Sequence, residues 1–194
     1  MKTTVLLFIA LVSLASCHKE LLAPVATPLF NTKSISTVQT DTVPDKAAVR
    51  IKVSKDSINA NETLLVFDRA ASLDYFGNED AEYMAGFGQV NIASISKDDR
   101  DLSINRLPYS PGMTIDLDVY TKKAGMFTFS VSYENKMPGD VQIWLKDNCR
   151  KDSVNICTSN YSFDVNKADS TSFGKKRFQL IFRRRAFVQT AAPN

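Results

Sequence analysis

Apolar and polar residues alternate strictly in a series of short runs between residues 49 and 182. The clearest run is Phe127–Tyr133, in which large apolar residues alternate with Thr and Ser. Successive side chains of a β-strand point to opposite faces, so a period of two indicates strands with one buried face. Comparable runs begin at Val49, Val90, Leu102, Ile115, Val141 and Phe178. Thr63–Phe67 is a continuous apolar stretch, and a further strand is expected to begin near Tyr161. No stretch has the 3.6-residue period of a good amphipathic helix.

Turn-forming residues separate these runs. Pro and Gly occur together in Leu107–Gly112 and Met137–Asp140, and Gly125 closes the segment Lys123–Gly125. Glycine supplies positive φ angles and proline presets the backbone of a turn. About eight to ten short strands at such spacing predict an all-β fold, which we expect to be an antiparallel β-sandwich of the jelly-roll or immunoglobulin-like kind.

The N-terminus has the features of an export signal. Lys2 is followed by an apolar run, Val5–Leu14, whose helix would be only about 15–17 Å long. That is too short for a hydrocarbon core of about 30 Å and typical of a secretory signal. Leu14-Ala15-Ser16-Cys17 resembles the bacterial lipobox, which implies that residues 1–16 are removed and that Cys17 is lipidated. The alternative is an ordinary signal peptide, but no A-x-A cleavage site lies nearby.

The residues after Cys17 bear on location. In bacterial lipoproteins an Asp directly after the cysteine is a retention signal for the inner membrane, and His18 occupies that position here. The resemblance therefore implies an outer-membrane lipoprotein, held by its lipid anchor. Lys19-Glu20 partly matches the surface-export signal of some such lipoproteins, so whether the protein faces outward or into the periplasm stays open.

Composition and texture predict one folded domain. We place a flexible tether at residues 17–47, with a short strand near Ser34–Val38, the β-sandwich at 48–187 and a disordered tail at 188–194. A disordered tether of about 30 residues has a mean end-to-end distance near 30 Å. The formal net charge of +3 argues against a dedicated nucleic-acid binder.

Two cysteines remain after Cys17. Cys149 and Cys157 flank a polar segment, residues 150–156, and an exported protein is free to form disulfides. We expect a structural disulfide between them. Two free thiols or a metal pair are the alternatives, although two cysteines without histidine make a poor metal site.

The segment Leu65–Phe182 resembles a β-sandwich module of large proteins exported by type IX secretion, where the module often precedes the C-terminal sorting domain. The resemblance rests on the stretches Val66–Asp68, Leu73–Phe76, Asp80–Ala81, Leu102–Pro108, Val119–Gly125, Trp144–Asn148, Tyr161–Phe163 and Arg177–Phe182. It implies a non-catalytic accessory or adhesion role. No sorting domain follows Phe182, so we expect the module to act here on a lipid anchor.

Catalytic residues are sparse. The single histidine, His18, is next to the anchor, so the domain has no Ser-His or Cys-His pair. Asp116 and Asp118 share a strand face about 6–7 Å apart. Such a pair is a candidate for glycoside cleavage, but alternating acids on an exposed face are usually just solvated. We therefore expect no enzymatic activity.

A candidate ligand face comes from aromatic residues on the polar side of their strands. Trp144 and Tyr120 would stack on sugars, while Gln142 and Asp118 would bond sugar hydroxyls. The alternative is that both rings pack under neighbouring loops, as large aromatics generally do.

An acidic loop follows the second strand. Asp74, Asn78 and Asp80 are candidate Ca²⁺ ligands, because this ion takes six to eight oxygen ligands. The alternative is a polar loop whose Tyr75 and Phe76 close the end of the domain. No other cofactor is expected.

Four short motifs resemble a three-residue O-glycosylation signal of some gram-negative bacteria. The candidate acceptors are Thr42, Ser57, Ser153 and Ser170, each directly after an Asp.

Basic residues bracket the last strand: Lys175, Lys176, Arg177 and Arg183–Arg185. They would meet anionic lipopolysaccharide or phospholipid, or they would protect a strand edge from pairing with another chain.

Together these features predict a lipid-anchored binding, adhesion or accessory module at the cell surface, with a glycan or envelope protein as partner. One alternative is a structural subunit of an envelope or secretion complex. Another is a carbohydrate-active enzyme.

Overall fold

The computed structural model describes residues 46–86, 88–135 and 137–185. The predicted signal 1–16, Cys17, the strand near Ser34–Val38, Thr42 and the tail 188–194 lie outside the described residues. Eleven strands and one 3₁₀ turn, Ser170–Ser172, make up the regular structure described. The prediction of an all-β fold is confirmed.

The strands are β1 (Ala47–Ser54), β2 (Ala60–Phe67), β3 (Ala81–Glu82), β4 (Val90–Ile95), β5 (Asp101–Leu107), β6 (Thr114–Thr121), β7 (Gly125–Asn135), β8 (Val141–Asp147), β9 (Asp152–Asn155), β10 (Tyr161–Val165) and β11 (Phe178–Arg184). Every run with a period of two became a strand. The alternation did not predict β3, which has two residues, or β9, which lies in the polar segment 150–156. Neither carries an alternating apolar row, because no residue of β3 or β9 is fully buried.

One hydrogen-bonded order, β10-β7-β1-β2-β5-β4-β6-β11-β8-β9, joins all strands except β3, which pairs with β5. The predicted pairing was wholly antiparallel, and this is wrong at one place, because β2 and β5 run parallel. The two separate sheets of a jelly-roll or immunoglobulin-like sandwich are not confirmed. The reason lies in β5, which pairs with β4 through Asp101 and Leu102 and with β2 through Ile104–Leu107.

The core contains the inward rows of strands from both ends of this order. Phe129 of β7 and Phe163 of β10 contact Phe178 of β11 with ring centroids 4.8 and 4.7 Å apart. Phe67 of β2 contacts Phe182 of β11 at 5.2 Å. All five rings are at most 1% exposed. The continuous sheet therefore curls around a single core, and edge-on aromatic contacts hold its two halves together.

A buried ion pair adjoins this aromatic cluster. Arg177 Nη2 lies 2.9 Å from Asp147 Oδ2, and both side chains are 1% exposed. The Tyr161 hydroxyl donates to the same oxygen at 3.0 Å, and Arg177 Nη1 donates to the carbonyl of Asp164 at 2.7 Å. The guanidinium also lies over the rings of Phe163 and Phe178. One arginine thus connects β8, β10 and the start of β11.

The basic cluster expected around the last strand does not form one surface. Arg177 is inside the protein, Lys175 pairs with Asp99 and Asp101, and Arg183 lies over the ring of Trp144. Strand alternation and nearby acids thus direct these three cations to different places, and contact of the remaining basic residues with anionic lipid stays a prediction.

Candidate functional site

A cavity of about 340 Å³ opens on the outer face of β4 and β6, and we call it the outer cavity. Asn91 and Ala93 belong to that face, opposite the core residues of β4, yet they are only 7% and 2% exposed. The chain after β3 accounts for their burial, because Tyr83, Ala85 and Gly86 line the same cavity. An irregular segment over a sheet face thus builds a concave site.

Hydrogen bonds fix one wall of the outer cavity. The Tyr83 hydroxyl donates to Asn91 Oδ1 at 2.6 Å, and Asn91 Nδ2 donates to the carbonyl of Tyr120 at 3.5 Å. Burial raises the pKa of the Tyr83 hydroxyl, so this group remains a proton donor at neutral pH. The three residues therefore form a fixed polar frame.

Asp118 supplies a carboxylate to the same cavity. Burial raises the pKa of this carboxyl above its ordinary value, and the nearby charge of Asp101 adds to the increase while Lys175 opposes it. No residue in the described part of the chain hydrogen-bonds its side chain. Its oxygens are therefore available to a hydroxyl or amine of a ligand.

Tyr120 adds an aromatic surface, with 47% of the residue exposed. Lys167 Nζ lies 4.3 Å from its ring centroid, and Phe173 meets the ring edge-on at 6.1 Å. These contacts hold the ring in place at the mouth of the cavity.

The four residues of the predicted ligand face separate into two pairs. Tyr120 and Asp118 line the outer cavity. Trp144 of β8 and Thr114 of β6 both pair with Ile181 of β11, one from each side, and Thr114 is six residues before Tyr120. At about 3.3 Å per residue the two aromatic residues are roughly 20 Å apart. Trp144 Nε1 donates to Gln142 Oε1 at 3.2 Å, so these two side chains bond each other.

In the acidic loop, the carboxylate of Asp80 is already engaged in hydrogen bonds within the protein. Both carboxylate oxygens of Asp80 accept backbone N–H groups at 2.7 Å, from Phe76 and Arg106. Asp74 and Asn78 are exposed, and the described residues contain no group of three or more His, Cys, Asp or Glu that would hold a metal ion. Asp80 instead fastens the loop to β5.

Cys149 and Cys157 are free thiols, which corrects the expected disulfide. The segment between them is a hairpin, in which Asp147 pairs with Asp152 near the turn and Trp144 pairs with Asn155 at the far end. Three strand residues span about 10 Å, more than the roughly 7 Å between Cα atoms that a disulfide tolerates. At its own end, Cys157 Sγ accepts a hydrogen bond from the Ile143 N–H at 3.1 Å.

Three of the four candidate glycosylation sites are described, and Ser57, Ser153 and Ser170 are all exposed. The preceding acid bonds locally in each motif. For example, Asp169 Oδ1 accepts the N–H of Thr171 at 2.9 Å. Glycosylation at these serines stays a prediction.

Tyr83, Asn91 and Asp101 also line the outer cavity, and no sequence motif predicted them. Asn91 lies on the outer face of a strand that the sequence marked only by Val90 and Ile92. No local signal indicates that the segment after β3 folds back over it.

No protein-family model, curated protein or solved structure matches the chain. The described residues include no helix with the length and apolar character needed to span a membrane.

Proposed function

We propose that the protein is a lipid-anchored, non-catalytic binding module of the bacterial cell envelope that recognises a glycan through the outer cavity. The lipobox at Leu14–Cys17 supports the outer-membrane anchor. The resemblance of Leu65–Phe182 to an exported sandwich module supports the accessory role and the finer, two-layered description of the fold.

The composition of the outer cavity carries the proposal. Sugars present hydroxyls to polar side chains and C–H faces to aromatic rings. Asp118 offers acceptors without a protein partner, and Tyr120 and Tyr83 offer aromatic surface. A volume of about 340 Å³ is near the lower end of the range for ligand sites, which suits one or two sugar units.

Glycan-array binding of the purified protein tests this proposal. We expect Tyr120→Ala and Asp118→Asn each to weaken binding at least about tenfold, equivalent to about 1.4 kcal/mol. Tyr133→Ala is a matched control, because Tyr133 is a similarly exposed tyrosine on β7, with 45% of the residue exposed. This control should bind as the wild type does.

Three outcomes would overturn the proposal. Absence of any glycan binding, together with co-purification of envelope components, would favour a structural subunit. Binding that persists in both cavity variants would place the site elsewhere. Hydrolysis of a polysaccharide that is lost in Asp118→Asn would make the protein an enzyme.

The anchor has its own test, by metabolic labelling of cells with an alkyne fatty acid. Wild-type protein should carry the label and sediment with membranes, whereas Cys17→Ser should do neither, because stable attachment needs about two acyl chains. Cys149→Ser and Cys157→Ser are the controls and should keep the label. A labelled Cys17→Ser variant would contradict the lipobox assignment.

A further inference from the structure

The first half of β6 has a neighbouring strand on one side only. β11 pairs with Thr114–Leu117, whereas β4 joins the other side only from Leu117 onward. β4 ends at Ile95, where it already pairs with Asp101 of β5. In the part of the chain that the structure describes, no strand lies along the other side of β6 at residues 114–116.

The backbone groups on this open side can be assigned. The Phe182 N–H donates to the carbonyl of Met113 at 3.0 Å, and the Gly174 N–H donates to that of Val119 at 2.7 Å. Odd-numbered residues of β6 therefore direct their backbone groups toward β11. Because these directions alternate along a strand, Thr114 and Asp116 direct their N–H and C=O groups to the open side.

A second cavity of about 340 Å³ lies beside this edge, and we call it the edge cavity. Thr114 and Asp116 line it together with an apolar wall formed by Leu107, Met113 and Ile115. No described residue lines both this cavity and the outer cavity, although Asp116 and Asp118, one in each lining, are only about 6–7 Å apart on β6.

Asn105 of β5 supplies a polar group to the edge cavity. It is 3% exposed, and none of the described residues hydrogen-bonds its side chain. Its side-chain amide has both donors and an acceptor to offer a ligand in this cavity. The N–H of a peptide group would donate to the Asn105 side-chain oxygen, and the C=O of a peptide group would accept from its NH₂.

We propose that the edge cavity binds an extended peptide segment. The peptide continues the line of β4 as a short strand along Thr114–Asp116. One apolar side chain of the peptide enters beside Leu107, Met113 and Ile115, and Asn105 bonds one of its peptide groups. Addition of a strand to an open edge gives affinity through backbone hydrogen bonds, and the adjoining pocket gives side-chain specificity.

The test uses a phage-displayed library of linear twelve-residue peptides, selected on the purified protein. We expect the enriched peptides to share one apolar position and to slow hydrogen exchange at the amides of Thr114 and Asp116. Asp116→Pro removes the outward N–H and leaves the β11 hydrogen bonds, and Asn105→Leu removes the amide. Each variant should weaken binding at least about tenfold.

Two controls make the result specific. Asp118→Asn, in the outer cavity, should bind the peptides as the wild type does. Methylation of single backbone nitrogens of the peptide should abolish binding only at alternate residues, whose N–H groups face β6. This measurement uses the wild-type protein, so it remains decisive if Asp116→Pro does not fold.

Several results would overturn the proposal. These are a library without enriched peptides, tolerance of N-methylation at every position, or loss of peptide binding in Asp118→Asn. If hydrogen exchange at the Thr114 and Asp116 amides slows when the protein is concentrated without peptide, the edge binds a second copy of the chain instead. None of these results bears on the glycan array, so the two proposals fail separately.

Discussion

Replacement of Arg177 by methionine is expected to lower the free energy of unfolding by about 3–5 kcal/mol, because it leaves a buried carboxylate without its cation. Asp147 is 1% exposed and cannot recover water in the folded state. The substitution also removes the hydrogen bond to the carbonyl of Asp164. Urea denaturation followed by tryptophan fluorescence measures the change, since the chain has one tryptophan.

Two further variants separate the charge effect from packing. The double variant Arg177→Met with Asp147→Leu should recover much of the loss, because a buried pair replaced by apolar residues is often close to neutral. Arg100 and Glu82 form an exposed pair at 2.7 Å, and Arg100→Ala should cost less than about 1 kcal/mol. A loss below about 1 kcal/mol in Arg177→Met would contradict the role assigned to the pair.

The same pair predicts acid lability. Burial alone would raise the pKa of Asp147, but the hydrogen bond and charge of Arg177 outweigh it and hold this pKa below its ordinary value. The stability contributed by Asp147 is therefore fully present above the unfolded pKa of about 3.9 and is lost as the pH falls through the folded value. In Asp147→Asn the free energy of unfolding should change less steeply below about pH 4 than in the wild type.

Replacement of Phe129 by alanine is expected to lower the free energy of unfolding by about 3–5 kcal/mol. The ring is fully buried and contacts Phe163 at 5.1 Å and Phe178 at 4.8 Å. Its removal leaves a cavity and takes away the edge-on contact between β7 and β11. Because these strands belong to opposite halves of the sheet, thermal unfolding should shift to a clearly lower temperature while the fold is retained.

Phe76→Ala is the matched control, because this ring lies in the loop after β2 and is 52% exposed. It should change the free energy of unfolding by no more than about 0.5 kcal/mol. Phe129→Leu should lower the free energy of unfolding by an amount between those of Phe76→Ala and Phe129→Ala. Equal effects of Phe129→Ala and Phe76→Ala would contradict the placement of the core.

The candidate site was predictable only in part. The period of β6 placed Asp118 and Tyr120 on the polar face, and both line the outer cavity. The same reasoning grouped Trp144 with them, because sequence gives the face of a strand but not its distance from other strands. The wall supplied by Tyr83 depends on a segment without periodicity, which folds over β4 through its bond with Asn91.

The hairpin of β8 and β9 illustrates the same limit. Spacing alone made Cys149 and Cys157 look like the ends of a closed loop, but the intervening residues pair as a strand and separate the two thiols. Polar edge strands of this kind escape detection, since they have no buried face to impose a pattern.

The sequence by itself determined that the chain is all β, where its main strands lie and, for most of them, which side chains face inward; β5 is an exception, because Ile104 is 38% exposed and Asn105 is buried. These properties are local, because alternation and turn residues act within a few positions of one another. Only the tertiary structure decided the parallel pairing of β2 with β5, the burial of Arg177 and the two cavities. Each depends on contacts between distant segments, as between Asp147 and Arg177, 30 residues apart. For a charged residue, such partners rather than local pattern decide between surface and core.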